Sequence, residues 1–264
     1  MLTLMARSLR RIAPVCLGLA AVLGFFQIVL VEVAASYERA GSFDRLATLL
    51  PAFAQRSFGT AMTSFAGLTT VGFYETGIIL MVAQFAIFAA SEPAGDVEVG
   101  LVDMVLARPL PRHWLVTRSL LVMTAATLAL TLTMGASTWI GLMTLAPPHA
   151  RWPDPRTVLN LIAHLTLVAF CFGATALAAA GWARRRSAAW APVALAAIAT
   201  YLIDFLGLWW TAMPRIGRLT PFHFYQGSAV IEGRANTALD LSVLAAATVV
   251  ASAIAYWQFN RRDL

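Results

Sequence analysis

Two groups of ionisable residues in this sequence have the type and setting to do chemistry. The first are carboxylates stranded in apolar runs: Glu75, within G-F-Y-E-T-G, and Asp204, between Tyr201-Leu202-Ile203 and Phe205-Leu206-Gly207. An ionisable group in hydrocarbon is costly, so it faces protein or a wet path rather than lipid. The residues alone leave two roles open for Glu75 and Asp204: a polar patch along a translocation path, or hydrogen bonds bracing a helix bundle. Glu32 near the end of another run reaches water, while Gln84 and His164 add polarity to two more stretches.

The second group is a polar island from Ser91 to Arg118. Taken as a helix from Asp96 to Ala107, it places Val97, Leu101, Met104 and Val105 at i, i+4, i+7 and i+8, one apolar stripe. Asp96, Glu98 and Asp103 fall off that stripe. Glu92 and Asp96 suit the positive end of the helix dipole, Arg108 closes the helix, and Pro109 and Pro111 prevent its continuation. Such an amphipathic helix either docks a partner or rests on the membrane surface. Arg108 and Arg112 likewise meet either a partner or lipid headgroups.

Other chemistries lack their residues. His113, His149, His164 and His223 are scattered, and with Cys16 and Cys171 they form no ligand spacing, so no metal or cofactor is expected. Two cysteines in apolar runs make no disulfide framework. No H-E-x-x-H or G-x-S-x-G occurs, and a non-catalytic chain is expected. All 19 basic residues are arginine. Because a P-loop needs a lysine on the nucleotide phosphates, any ATP-driven work requires an ATPase on a separate chain.

The elements that position these residues follow from composition. The chain is 59% hydrophobic and 12% charged, with a mean hydropathy of +0.74, against about 25% charged residues in soluble domains. Six runs reach the roughly 20 apolar residues that cross a bilayer: about 12–34, 66–90, 116–145, 157–182, 188–212 and 237–258. The expected fold is an all-α integral membrane protein, a single transmembrane domain over 1–264. Its six transmembrane helices carry a short cytoplasmic helix between the second and third. Val33-Ala34-Ala35 has the look of a signal cleavage site, but the first run exceeds a signal core of 7–15 residues, so a retained anchor is expected.

An even number of spans puts both termini on one side. Arg7, Arg10 and Arg11, the 91–115 loop, Arg184-Arg185-Arg186 and Arg261-Arg262 then share the cytoplasm, as arginines near span ends favour. The expected location is a bacterial cytoplasmic membrane. The net charge of +6 falls at span ends, where it meets lipid headgroups rather than nucleic acid. Residues 35–65 suit a short interfacial helix, 147–155 a proline-rigid turn, and 213–236 an irregular segment behind the interfacial anchors Trp209 and Trp210.

Three local patterns resemble a known family. Glu98-Val99-Gly100, then Asp103, then Leu106-Ala107-Arg108-Pro109 and Arg112 look like the E-x-G-x-x-(D/E)-x-x-L-(A/S)-x-P-x-x-R signature of type-2 ABC transporter permeases, with the type V exporter fold. Leu219-Thr220-Pro221-Phe222-His223-Phe224-Tyr225 is similar to the L-S-P-F-H-Y-Y segment before the last span of that family. Arg261-Arg262-Asp263-Leu264 matches an R-R-D-(L/I) ending. Together the three cover about a tenth of the chain. Leu101 stands where the family usually has threonine, and Arg118 where a lysine is frequent.

The resemblance implies the permease subunit of an ATP-driven exporter. Its coupling segment would comprise Glu98, Gly100, Leu101, Asp103, Met104, Val105, Arg108, Pro109 and Arg112. Implied partners are a separate ABC ATPase, a second copy of the chain, membrane lipids and accessory subunits. Two other readings stay open: an ion-gradient-driven secondary transporter, which would use Glu75 and Asp204, and a membrane scaffold of a larger assembly.

Overall fold

A computed structural model describes residues 2–43, 45, 62–99, 113–207 and 220–261. Among these the regular structure is entirely helical. The long helices are α1 (Leu2–Arg39), α5 (His113–Leu145), α6 (Pro155–Ala180), α7 (Arg186–Leu206) and α9 (Thr237–Arg261). The second span is divided into α2 (Phe65–Tyr74) and α3 (Thr76–Ala90), and a short helix, α4 (Glu92–Glu98), follows it. A 3-10 turn (Pro221–Phe224) and α8 (Gly227–Ile231) precede α9. Six helical stretches, counting α2 and α3 together, are long and apolar enough to cross a membrane. The protein is therefore an all-α, multi-pass membrane protein.

All six apolar runs are helices, with shifted ends. α1 runs on to Arg39, so residues 35–39 continue the first span instead of starting a separate interfacial helix. Most of the rest of that expected helix, 46–61, lies outside the described residues. The polar helix starts at Glu92, four residues before the expected Asp96, because Pro93 in its first turn has a backbone angle already set for helix. Of its expected course to Ala107, residues 100–107 lie outside the described residues. The segment 147–154 is non-helical, as its prolines require. Asp154 then caps α6 by accepting the Arg156 N–H at 3.1 Å, with Pro155 in the first turn.

α6 is the centre of the bundle and the span most enclosed by protein. It packs against α9, α3, α5, α7 and α2, while α1 lies along α5 and α2. Without a hydrophobic driving force between helices in lipid, close backbone approach and interhelical hydrogen bonds hold such bundles. Gly173 of α6 permits one approach: a Cβ there would sit 3.3 Å from both the Ala86 Cβ and the Ala86 carbonyl oxygen of α3. Thr166 donates to Thr131 at 3.0 Å, and the Thr117 and Tyr256 hydroxyls lie 2.8 Å apart, joining α6 to α5 and α5 to α9. The outer helices α1, α7 and α9 leave Leu17, Phe25, Leu195, Val249 and Trp257 exposed, the apolar surface expected toward lipid.

Candidate functional site

Polar side chains gather at both ends of α3, about 22 Å apart for 15 residues at roughly 1.5 Å each. At its N-terminal end Glu75 breaks the second span. Its backbone is extended (φ −64, ψ 133), and its carboxylate accepts the Ile78 N–H at 3.1 Å, capping α3. A break frees backbone groups that a continuous helix would pair, and in a membrane these need internal partners. The Phe73 carbonyl, which would otherwise accept from residue 77, takes the Tyr225 hydroxyl at 2.6 Å. Burial, with a smaller contribution from Tyr74, pushes that hydroxyl well above its ordinary range, so it remains an O–H donor.

The segment 221–231 is shaped to reach the break. Phe222 is buried between Phe172 and Tyr201, with ring centroids 5.2 and 5.6 Å away. Tyr225 stacks on His164 at 5.6 Å, and His164 holds its Nδ1 2.7 Å from the Asn160 carbonyl. Gly227 lies so close to α2 that a Cβ would come within 2.3 Å of the Tyr74 Cβ. The Phe-His-Phe-Tyr run thus serves as a plug whose tyrosine completes the backbone pairing of the second span.

Glu75 and Asp204 belong to this same end. Thr76, next to the break, has its hydroxyl 2.6 Å from that of Tyr201. Both carboxylates act electrostatically on Tyr201, and Asp204 lies one helical turn beyond it on α7. Asp204 is half-buried and within electrostatic reach of His223, and its carboxylate makes no hydrogen bond to another described residue. Glu75 is committed to its cap; Asp204 is not.

At the C-terminal end of α3 the chain turns at Ser91 into α4. Arg186, the first residue of α7, donates from Nη2 to the Phe88 carbonyl at 3.0 Å and from Nε to the Ser91 hydroxyl at 3.1 Å. Its guanidinium also lies 4.1 Å from the centroid of the Phe88 ring. The Arg186 backbone N–H donates to Glu98 at 2.9 Å. On the other side of α4, Asp96 pairs with Arg118 of α5, both side chains largely buried. Glu92 is only 2% exposed, and its Oε2 has no hydrogen-bond partner among the described residues. Arg11 of α1 acts electrostatically on Arg186, so the start of the first span belongs to this end too.

Of the residues singled out in the sequence, Glu98 is described and Val97 and Val99 flank it, Val99 being 61% exposed. Gly100, Leu101, Asp103, Met104, Val105, Arg108, Pro109 and Arg112 lie outside the described residues. Glu98 holds the start of α7. Arg185, the N-cap residue there, supplies no side-chain bond, and a carboxylate from 88 residues earlier takes the N–H instead. The part played by Arg186 was hidden in Arg184-Arg185-Arg186, where all three read as topology signals. Only Arg186 turns inward; the other two are exposed.

Comparison with models of protein families and with curated proteins gives no match for this chain. The arrangement itself suits mechanical work. α4 and the turn before it are tied to the ends of three spans, and one of those spans is broken at Glu75.

Proposed function

We propose that this chain is the permease subunit of an ATP-driven exporter of the type-2 ABC kind. It would lie in a bacterial cytoplasmic membrane with both termini in the cytoplasm, working with a separate ABC ATPase, a second copy of itself and, in some assemblies, accessory subunits. The observation that carries the reading is the attachment of α4. Arg118 and Arg186 fix this short helix to the starts of α5 and α7, just before the segment whose sequence resembles a coupling signature. A helix merely resting on lipid has no need of two buried or half-buried arginines from separate spans. A loop that is pushed does, because a rigid attachment turns displacement of the loop into displacement of the spans.

The test is a tagged pull-down from native membranes in mild detergent, with the retained proteins identified by mass spectrometry. Because Glu98 is engaged within the chain, the informative variants are Leu101→Arg and Asp103→Arg. Wild type should retain a Walker-type ATPase and the two variants should lose it. Folded wild type that retains none refutes the permease reading. It would favour a second reading, an ion-gradient-driven transporter, which has its own support. Discontinuous spans at the binding site are a recurrent feature of such transporters, and here the carboxylates Glu75 and Asp204 both act on Tyr201 beside the break.

A further inference from the structure

We infer that α3 and α7 move as one antiparallel unit, hinged at Glu75 and driven through Arg186 and Glu98. The unit is built by three hydrogen bonds spaced along the pair: Thr76 to Tyr201 at 2.6 Å, Gln84 Nε2 to the Ala194 carbonyl at 3.1 Å, and Arg186 Nη2 to the Phe88 carbonyl at 3.0 Å. Both ends and the middle of α3 are therefore fastened to α7. Each fastening joins the same two helices.

The hinge is the extended Glu75. It divides the second span so that α2 packs chiefly against α1, while α3 packs against α6, α5 and α7. Hinges are a few residues at element ends that absorb a change in backbone angle. Glu75 already ends one helix and caps the next, so rotation there breaks no intrahelical ladder. The Phe73 carbonyl on the α2 side remains held by Tyr225 throughout.

The drive comes from a reciprocal cap. The last carbonyls of one helix and the first N–H groups of another are orphans that need outside partners. The Arg186 side chain serves the end of α3, while its own backbone N–H, one of the first of α7, is served by Glu98 at the end of α4. Gly95 leaves room for the arginine stem: a Cβ there would lie 3.2 Å from its Cδ. A pull on the segment after Glu98 thus reaches α7 at its first residue and α3 in its last turn. α7, a helix of 21 residues, carries the motion to Tyr201 and Asp204 near its far end. Arg186 and Glu98 are positioning residues in this scheme.

The inference rests on the permease reading, and the experiment separates the two. The full chain, with Cys16 and Cys171 replaced by alanine, is purified with its ATPase in nanodiscs. Spin labels are placed in pairs at exposed positions of three helices: Val22 on α1, Met81 on α3 and Leu195 on α7. Distances are measured without nucleotide and after trapping with ATP and vanadate. The Leu195–Val22 distance is expected to change while Leu195–Met81 stays constant.

In Arg186→Met, which retains the ATPase, the Leu195–Val22 change should fall more than about threefold, within the range by which single linking residues alter coupling; Arg186→Lys should recover part of it. Glu98→Gln, which keeps an acceptor oxygen, should lose less than Glu98→Ala, and this pair decides the matter if Arg186→Met does not fold. A Leu195–Met81 change as large as Leu195–Val22, or a full wild-type response in Arg186→Met, overturns the inference while leaving the permease reading intact. Absence of any ATPase from folded wild type overturns both.

Discussion

Replacing Tyr225 with phenylalanine removes one oxygen atom and leaves the ring stacked on His164, so the cavity cost is minimal. What is lost is the donor to the Phe73 carbonyl at 2.6 Å, and more weakly to the Leu161 carbonyl at 3.4 Å, in a site where Tyr225 is buried. That carbonyl has no α3 partner because Glu75 interrupts the ladder. A buried acceptor left unpaired costs about 1–3 kcal/mol. Interhelical hydrogen bonds measured inside membranes average only about 0.6 kcal/mol, with a maximum near 1.7, because the unfolded chain in lipid finds other partners. The expected loss for Tyr225→Phe is therefore about 1–2 kcal/mol, near the top of the membrane range, since the break offers its carbonyl no helical alternative. Tyr256→Phe is the internal control. Its hydroxyl pairs with that of Thr117, which also donates to the His113 carbonyl, so the partner is not stranded. Its loss should stay below about 0.5 kcal/mol. Reversible unfolding in mixed micelles of mild detergent and dodecyl sulfate gives both values. Equal losses for the two variants would refute the argument that the break makes the Tyr225 bond special.

Three further outcomes follow from the same contacts. Glu75→Leu should lose about 1–2 kcal/mol by removing the cap on Ile78, whereas Glu75→Gln, which keeps an acceptor oxygen, should lose less than half as much by the same unfolding assay. Arg118→Met leaves Asp96 largely buried without its cation and should cost about 3–5 kcal/mol, with the charge-reversed pair R118D/D96R recovering a measurable part of it. Gly227→Ala should destabilise more than Gly173→Ala in thermal unfolding. The new methyl at 227 meets the Tyr74 Cβ, which moves only with its backbone, while the nearest atom at 173 is the Sδ of a flexible Met123 side chain.

The spans were legible because a run of about 20 apolar residues has one stable form in a bilayer, whatever its neighbours. Their interruptions were not, because each depends on a partner far along the chain. Within 66–90 the sequence reads as one helix, and Gly72, Glu75 and Gly77 only weaken it locally. The break is stable because Tyr225, 152 residues away from Phe73, accepts the task of pairing the freed carbonyl. The start of α4 was recoverable: Ser91-Glu92-Pro93 has proline where a helix begins, a stronger local sign than the apolar stripe that suggested Asp96. The inward turn of Arg186 was not recoverable, since three consecutive arginines carry the same charge and differ only in where the helix points them.

The two polar clusters share one physical logic. Helix ends leave backbone groups without intrahelical partners, and inside hydrocarbon these must be paired within the protein, so a chain that interrupts a span has to supply side chains there. Here Glu75 serves Ile78, Tyr225 serves Phe73, Arg186 serves Phe88 and Glu98 serves Arg186. Three of these four bonds join residues more than 60 positions apart. Such bonds stabilise one arrangement only while both partners stay in register, which makes them suitable as joints: strong in the resting geometry and broken together if a helix slides. α3 has a joint at each end and a third partner at Gln84, and all three connect it to α7. A bundle meant only to be stable would satisfy the second span by leaving it continuous. Breaking it at a carboxylate, and then fastening the released half to another span, is the construction that the proposed joint motion of α3 and α7 requires.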